Sequence, residues 1–250
     1  MIKTWPVKIP PLTGSLERLA YCYLPESYEA GQKRYPVLYM FDGHNVFFDD
    51  HATYGKSWGM KEYLESAGTE LIVVAVASHP DGVQRLSEYS PYDLDIPGLG
   101  ALEGRGEGYM QWLTATLKPY IDRNFRTLPD RGHTYIAGSS MGGLMSLYAA
   151  AEFPEVFGGA ACLSPSLWTN PEEIEKLLEN AVLPEDMRIY MDYGSEELGN
   201  HPENPQVLRR TVEQLEKAGA QVLFRIVPGG QHCEASWEKQ IPVFMEFLGF

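Results

Sequence analysis

The feature that most constrains the fold is a short apolar run that passes through a glycine-rich turn directly into a helical pattern. The run is HTYIAG at 133–138, and SMGGLMSLYAAAEF at 140–153 follows it after a single residue. Apolar residues of the second segment recur at helical spacing and share one face: Leu144, Leu147, Tyr148 and Ala151. A buried strand joined so tightly to a helix is one unit of an α/β fold.

The same alternation of strand-like and helix-like segments extends over most of the chain. Continuous apolar runs rich in Val, Ile, Tyr and Phe predict strands that are covered on both faces. These runs lie at 35–41, 70–78, 133–138, 157–164, 187–194 and 221–229. Helical patterns lie between and after them, at 108–125, 140–153, 205–219 and 235–248. The alternation predicts a mostly parallel central sheet with helices on both faces.

The N-terminal segments differ from this alternation. No helical pattern separates 4–10 from 16–25, so these two segments are expected to form an antiparallel lead-in at one edge of a mixed sheet. Two loop-rich stretches, 42–57 and 78–104, contain Gly, Pro, Asp and aromatic residues, and loops of that length are more often functional than incidental. Since no repeat or linker interrupts the sequence, a single domain over 1–250 is expected.

The amino-acid composition limits the classes of binding partner and the cellular location that we expect for this protein. The formal net charge of −14 disfavours nucleic acid and anionic membranes, which both attract clustered Lys and Arg. No apolar run approaches the ~18 residues of a membrane span, and the N-terminal MIKTWPVKIPP lacks the apolar core of a signal peptide. Three widely spaced cysteines indicate free thiols in a reducing compartment. The expected location is the cytoplasm.

The turn between strand and helix contains a candidate nucleophile. The G-x-S-x-G frame of a nucleophile elbow fits one register, 138–142, which places Ser140 at the centre. A frame centred on Ser139 would need glycines where Ala137 and Met141 stand. The sharp turn brings the first and last positions of the frame together, which explains why both are glycine.

Backbone amides near Ser140 are candidates for an oxyanion hole. Ser140 is expected at a helix N-terminus, where free N–H groups favour negative charge, so the amide of Met141 is a natural donor. Gly143 is expected to let this helix approach a neighbouring strand. A second donor is expected from the loop DGHNVFF after the strand at 35–41, from the amide of Gly43 or His44.

The order nucleophile, acid, histidine selects the other catalytic candidates. Of the six histidines only His201 and His232 follow Ser140, and His232 lies in a glycine-rich loop after the last predicted strand. His201 lies too close to the candidate acid, so His232 is the predicted base. The acid should follow the strand at 187–194, where Glu197 has the best reach.

Two other carboxylates compete with Glu197 for the role of the catalytic acid. Glu196 lies beside Glu197 in the same turn, and Asp192 lies inside the predicted strand. Either type of carboxylate can orient an imidazole and stabilise the imidazolium.

Three tryptophans, Trp58, Trp168 and Trp237, flank the proposed site segments and are candidates for an aromatic acyl or alcohol pocket. The segment DGHNVFFDDH at 42–51 contains histidines and carboxylates, but their spacing matches no recognised ligand motif. Neither a metal nor another cofactor is predicted.

Taken together, these segments resemble the esterase family of α/β hydrolases that includes esterase D, feruloyl esterases and enterochelin esterases. The matching pieces come in the family's order: YPVLYMFDG at 35–43, RLSEYSP at 85–91, YIAGSSMGG at 135–143, SPSLW at 164–168, YMDYGSEE at 190–197 and GGQHCEASW at 229–237. The resemblance implies that Ser140 is the nucleophile and His232 the base. It places the acid at Glu197, where the family often has aspartate, and it implies that Arg85 and Tyr89 support the pocket.

The resemblance also implies an α/β-hydrolase fold without a large lid domain, and hydrolysis of carboxylic esters through an acyl-enzyme. The expected substrate is a small-molecule ester with a small acyl, an aryl (feruloyl) or a siderophore-like group. An acyltransferase with the same triad and a non-catalytic binding module of the same fold remain as alternatives. A homo-oligomer is compatible with the sequence.

Overall fold

The computed structural model describes residues 1–199 and 204–250. The strands in these residues are β1 (Ile2–Lys8), β2 (Glu17–Tyr23), β3 (Val37–Met40), β4 (Ile72–Val76), β5 (Leu94–Ile96), β6 (Gly100–Leu102), β7 (Thr134–Ser139), β8 (Gly159–Leu163), β9 (Arg188–Gly194) and β10 (Gln221–Val227). The main sheet has the spatial order β1-β2-β4-β3-β7-β8-β9-β10, and β5 pairs with β6 in a small hairpin.

The central part of the sheet is parallel, as the sequence predicts. Strands β4, β3, β7, β8, β9 and β10 run in one direction. Strand β2 pairs antiparallel with both β1 and β4, so the predicted antiparallel lead-in at one edge is confirmed. Parallel order places the carboxyl ends of the central strands along a single edge of the sheet, and loops that leave this edge can converge on one site.

The helices are α1 (Pro10–Thr13), α2 (Met60–Ala67), α3 (Gly82–Glu88), α4 (Gly106–Trp112), α5 (Lys118–Asn124), α6 (Met141–Glu152), α7 (Pro171–Asn180), α8 (Asn204–Lys217), α9 (Glu234–Glu238) and α10 (Ile241–Leu248). A π-helical segment, Leu113–Leu117, joins α4 to α5. Among the described residues, no helix is long and apolar enough to cross a membrane.

Helices cover both faces of the sheet, because alternate strand residues point to opposite sides. On one side, Val37 and Tyr39 of β3 join a buried cluster with residues of α4, α5, α6, α7 and α8. On the other side, Leu38 and Met40 of the same strand join a cluster with residues of α2 and α10. This two-sided burial confirms the predicted α/β class and explains why the central strands are continuously apolar.

The structure corrects three details of the sequence interpretation. The predicted helix at 235–248 is divided into α9 and α10, since Pro242 in the first turn of α10 has no N–H to continue the earlier helix. The predicted loop at 78–104 contains α3 and the β5–β6 hairpin. These elements are short and only partly apolar, so they lack a periodic signal. The sequence interpretation also missed helix α2, which follows the predicted loop at 42–57.

Three residues other than glycine adopt a left-handed backbone in the described part of the chain. They are Asp42 (φ 53°), Ser140 (φ 59°) and Ser164 (φ 41°). Each follows the carboxyl end of one of three adjacent parallel strands, β3, β7 and β8. Such conformations cost about 1–3 kcal/mol each and persist only where surrounding contacts hold them, so they mark this edge as a candidate site.

The Gly138 position allows no side chain. A Cβ built on Gly138 would lie 2.6 Å from the backbone carbonyl carbon of Gly142, which confirms that the turn presses these two glycines together. We expect Gly138→Ala to lower the free energy of unfolding by about 1–3 kcal/mol, because the turn must open to fit the methyl group. Urea denaturation measures this change.

The matched control is Gly31→Ala, since a Cβ at Gly31 has nothing within 4 Å. We expect this variant to stay within about 0.5 kcal/mol of the wild type. Equal stability of the two variants would contradict the steric interpretation of the turn.

Candidate active site

A cavity of about 730 Å³ opens at the carboxyl ends of the central strands. Its wall includes Ser139 at the end of β7 and Ser140 in the turn after it, Arg85 from α3, and His232 and Trp237 from the segment after β10. The structure thus brings together residues that lie far apart in sequence, and it places the candidate nucleophile and the candidate base in one cavity.

Ser140 occupies the turn between β7 and α6 with φ 59° and ψ −123°. Its backbone N–H donates to the carbonyl of Leu163 at 2.9 Å, which ties the turn to the neighbouring strand β8. Its hydroxyl oxygen lies 3.3 Å from the hydroxyl oxygen of Ser166. Met141 is the first residue of α6, and the first N–H groups of a helix have no partner within the helix. The turn therefore presents a hydroxyl and free amides at one place.

The carboxylate of Glu197 contacts the imidazole of His232. Glu197 Oε2 lies 2.5 Å from His232 Nδ1, and the Glu197 side chain is only 3% exposed. Because an ionised carboxylate can only accept hydrogen bonds, Nδ1 donates, which leaves Nε2 of the neutral ring free to accept a proton. The backbone N–H of Gly194 donates to the other oxygen, Oε1, at 3.0 Å.

Three other residues competed for these two roles. Glu196 is exposed in the same short turn, and Asp192 is buried within β9. His201, the alternative base, lies outside the described residues. Of the three carboxylates, Glu197 is the one hydrogen-bonded to His232.

Asp192 belongs to a separate buried network. Its carboxylate accepts hydrogen bonds from the Tyr190 hydroxyl at 2.8 Å and from the backbone N–H of Ser164 at 3.1 Å. Burial raises the pKa of Asp192 to about 7, and the negative charge of Glu197 adds to this rise. Burial thus favours the protonated form of Asp192 beneath the site.

Ser164 is a residue that the sequence interpretation missed. Its hydroxyl donates to Glu197 Oε1 at 2.7 Å and accepts from the indole Nε1 of Trp237 at 3.0 Å. The Trp237 ring also meets the His232 ring edge to face, with 5.0 Å between centroids. The sequence could have indicated Ser164 by its position in SPSLW, the segment that directly follows β8.

The loop after β3 lies against the same cavity, and Asp42 and Arg85 hold it. Arg85 donates from Nε and Nη2 to the two carboxylate oxygens of Asp42, at 2.7 and 2.6 Å. Burial alone would raise the pKa of Asp42, but the Arg85 guanidinium lowers it below its ordinary value. The backbone N–H of Asp42 donates to the Tyr89 hydroxyl at 3.1 Å. Side chains from RLSEYSP therefore fix this loop.

Gly43 and His44, the candidate oxyanion donors, begin a short 3₁₀ turn directly after Asp42. A Cβ on Gly43 would lie 2.8 Å from backbone atoms of Ala75 and Val76, so the turn packs directly on β4. Burial lowers the pKa of His44, and its ring nitrogen Nε2 lies 3.0 Å from the Thr53 hydroxyl. Burial in the cavity wall thus disfavours the charged form of the His44 side chain.

Of the predicted pocket residues, Arg85 and Trp237 line the cavity. Trp58 and Tyr89 are buried and pack behind its wall, Trp58 against Trp237 and Tyr89 against Phe41. Trp168 lies in the 3₁₀ turn Leu167–Thr169 and is not among the cavity-lining residues that the structure describes. Tryptophan and tyrosine near a site are often part of the core beneath it, and here two of the candidates are.

The acidic and histidine-rich segment at 42–51 is arranged by hydrogen bonds within the protein. His51 contacts the Tyr21 hydroxyl at 3.1 Å, and Asp49 accepts from the backbone and hydroxyl of Ser57 at 2.8 and 2.7 Å. Within residues 1–199 and 204–250, no group of three or more His, Cys, Asp or Glu side chains could hold a metal ion.

Comparisons with known proteins show which family and fold this chain resembles. The family model described as "Putative esterase" matches residues 16–248. The protein YbbA of Bacillus subtilis is 27% identical over 245 residues, with 90% of each chain covered. The Iron(III) salmochelin esterase of Escherichia coli is 32% identical over 209 residues, which cover 77% of this chain and 47% of that protein. This chain thus matches about half the length of that esterase.

A solved structure supports the fold. The IroE-like serine hydrolase from Shewanella oneidensis superposes with a TM-score of 0.78 at 18% identity, over 99% of this chain and 79% of that chain. This similarity confirms the predicted α/β-hydrolase fold. In the segment between β8 and β9, where a lid domain could be inserted, this chain has a 3₁₀ turn and α7.

The raised pKa of Asp192 predicts a pH dependence of stability. Between pH ~4, the pKa of an unfolded aspartate, and pH ~7, Asp192 is protonated when folded and ionised when unfolded. Unfolding then releases a proton, so stability relative to Asp192→Asn should fall by more than about 1 kcal/mol over this range and level off above it. Urea denaturation of both proteins from pH 4.5 to 8 measures the difference, and parallel curves would contradict the assignment.

Proposed function

Since the chain belongs to the Putative esterase family and is an ester hydrolase, we propose that Ser140, His232 and Glu197 are its catalytic triad. The observation that carries the proposal is the 2.5 Å contact between Glu197 Oε2 and His232 Nδ1 in the cavity that Ser140 also lines. A carboxylate that accepts from Nδ1 fixes the tautomer in which Nε2 is the base. The proposed reaction is hydrolysis of a carboxylic ester through an acyl-enzyme.

In the first half of the reaction, Ser140 Oγ attacks the ester carbonyl carbon while His232 Nε2 takes the proton of the Ser140 hydroxyl. The Ser140 hydroxyl turns from Ser166 toward the imidazole by rotation about its Cα–Cβ bond. The imidazolium then gives the proton to the leaving alcohol, and the Glu197 carboxylate stabilises the positive ring in between. In the second half, water attacks the acyl-enzyme while His232 Nε2 takes a proton from it. The bond between the acyl group and Ser140 Oγ then breaks, and the imidazolium returns the proton to Ser140 as the carboxylic acid leaves.

The negative charge of the tetrahedral intermediate needs donors that are already in place. We assign this role to the amide of Met141, at the start of α6, and to the amide of Gly43 or His44, in the turn that packs on β4. The ion pair between Asp42 and Arg85 supports this assignment, because it holds the backbone directly before Gly43. Preorganised donors of this kind each contribute about 3 kcal/mol in the transition state.

The cavity supports a small-molecule ester with an aromatic or siderophore-like group as the substrate. Its volume of about 730 Å³ fits the range of small-molecule sites, and its wall includes Leu19, Tyr54 and Trp237 as apolar surface. Tyr54 is 83% exposed, so an aromatic ring stands free at the rim. The name of the salmochelin relative agrees with such a substrate. The unpaired thiols of Cys22, Cys162 and Cys233 support the cytoplasm as the place of reaction.

A fluorophosphonate probe tests the nucleophile. We expect the wild type to be labelled and Ser140→Ala to lose both the label and, by about 10⁴-fold or more, hydrolysis of aryl esters. Ser139→Ala is the matched control, since this adjacent serine lies in β7 outside the centre of the frame, and it should keep the label. An unlabelled wild type, or equal labelling of Ser140→Ala, would refute the serine mechanism.

Substitution of the acid tests the second part of the triad. Glu197→Gln should lower kcat by about 10²–10⁴-fold, because an amide cannot stabilise the imidazolium and permits the wrong tautomer. Glu196→Gln changes the exposed neighbour and should leave kcat within about twofold of the wild type. Steady-state kinetics on p-nitrophenyl acetate measures both, and a larger effect at Glu196 would overturn the assignment.

A panel of esters tests the substrate class and the type of reaction. Aryl esters of increasing acyl length, feruloyl esters, acetylated sugars and catecholate esters should be cleaved at unequal rates, with kcat/KM highest for esters that carry an aromatic group. Tyr54→Ala should reduce that preference by about three- to tenfold, since it removes an aromatic ring from the rim. Product analysis with an added alcohol distinguishes hydrolysis from acyl transfer, and predominant transfer would refute the hydrolase assignment.

A further inference from the structure

We propose that Ser164 is a positioning residue that holds the Glu197 carboxylate in place for His232, an inference that rests on the triad proposed above. Ser164 directly follows β8, the strand beside β9, and is buried. It is not among the residues lining the cavity in the part of the chain that the structure describes. Its influence on the reaction would therefore act through Glu197 and not through the substrate.

The direction of the Ser164 hydrogen bonds is determined by its partners. The indole N–H of Trp237 can only donate, so Ser164 Oγ accepts this bond at 3.0 Å. The Ser164 hydroxyl hydrogen is then free to donate to Glu197 Oε1, which lies 2.7 Å away. Since a carboxylate accepts this bond, it is charge-assisted and stronger than a neutral one.

These contacts hold Glu197 from the side opposite to His232. Oε1 accepts from the Ser164 hydroxyl and the Gly194 amide, and Oε2 contacts His232 Nδ1. Two donors on Oε1 fix the plane of the carboxylate, and therefore the position of Oε2. Without the hydroxyl, the amide of Gly194 alone would define that plane, and the carboxylate could turn away from the imidazole.

The backbone of Ser164 adopts a conformation that favours glycine over serine. Its φ of 41° is a conformation that glycine adopts without strain, yet the residue here is serine. The backbone N–H donates to the carboxylate of Asp192 at 3.1 Å, which helps to keep this conformation. Glycine would satisfy the backbone but would lack the hydroxyl that reaches Glu197.

The experiment uses Ser164→Gly, which removes the hydroxyl and relieves the backbone strain, so the variant should fold. We expect kcat for p-nitrophenyl acetate to fall about tenfold, the effect of losing a hydrogen bond to a charged group. KM should stay within about twofold, because Ser164 does not line the cavity. In a Glu197→Gln background, Ser164→Gly should cause less than about a twofold further loss, because the two residues act as a unit.

A second variant, Trp237→Phe, tests the hydrogen bond between Ser164 and Glu197 without changing either residue. It keeps an aromatic ring beside His232 but removes the N–H that directs the Ser164 hydroxyl. We expect about a threefold loss of kcat, which should also vanish in the Glu197→Gln background. Because Trp237 also lines the cavity, a change in KM alone is assigned to contact with the substrate and not to this hydrogen bond. The matched control is Thr127→Val, which removes another buried hydroxyl that donates to a carboxylate, that of Asp122 at 2.7 Å. Its kcat should equal that of the wild type.

The outcomes separate this inference from the proposed triad. If Glu197→Gln retains wild-type kcat, the triad assignment fails. If Glu197→Gln loses activity while Ser164→Gly retains it, the triad stands and the role of Ser164 is overturned. A loss in Ser164→Gly that persists at full size in the Glu197→Gln background also overturns it, since Ser164 would then act independently of Glu197.

Discussion

The turn at Ser140 is the constraint on which the rest of the site depends. With φ 59° and ψ −123°, the chain reverses from the central strand β7 into α6 within one residue. The turn is possible because residues 142 and 143 are glycines and have no Cβ atom. A Cβ at Gly142 would lie 2.9 Å from the Cβ of Phe41, and a Cβ at Gly143 would lie 2.8 Å from the carbonyl oxygen of Leu163. The glycines therefore let α6 approach β3 and β8 closely, and this approach sets the distance between the loops that leave those strands.

Backbone strain at the two neighbouring strands is balanced by polar contacts. Asp42 follows β3 with φ 53°, and its carboxylate is held by Arg85. Ser164 follows β8 with φ 41°, and its hydroxyl is bonded to Glu197 and Trp237. In each case the side chain on the strained residue makes a contact that a glycine could not make. The two strained residues thus carry polar side chains at the edge of the sheet, where a charge can develop during a reaction.

The sequence predicts the parts of this structure that depend on local patterns. Continuous apolar runs predict the parallel strands, the G-x-S-x-G frame selects Ser140, and chain order selects His232. The contact between Glu197 and His232 could only be found from the structure, because Glu197, Glu196 and Asp192 lie within six residues and differ in where the backbone directs their side chains. The contacts of Ser164 with Glu197 and of Arg85 with Asp42 span 33 and 43 residues, and no local pattern encodes such pairings.

The carboxyl end of β9 shows how two nearby carboxyl groups acquire different hydrogen-bond partners. Asp192 lies within the strand, so the alternation of side chains directs it to the same face as Tyr190, whose hydroxyl donates to it. Glu197 lies beyond the strand in a 3₁₀ turn, where its side chain folds back to the amide of Gly194 and reaches His232. Ser164 contacts both, through its N–H and its hydroxyl respectively. Two buried negative charges so close would repel each other. Because burial raises the pKa of Asp192 to about 7, this group can remain protonated below neutral pH while the carboxylate of Glu197 accepts a hydrogen bond from the His232 imidazole.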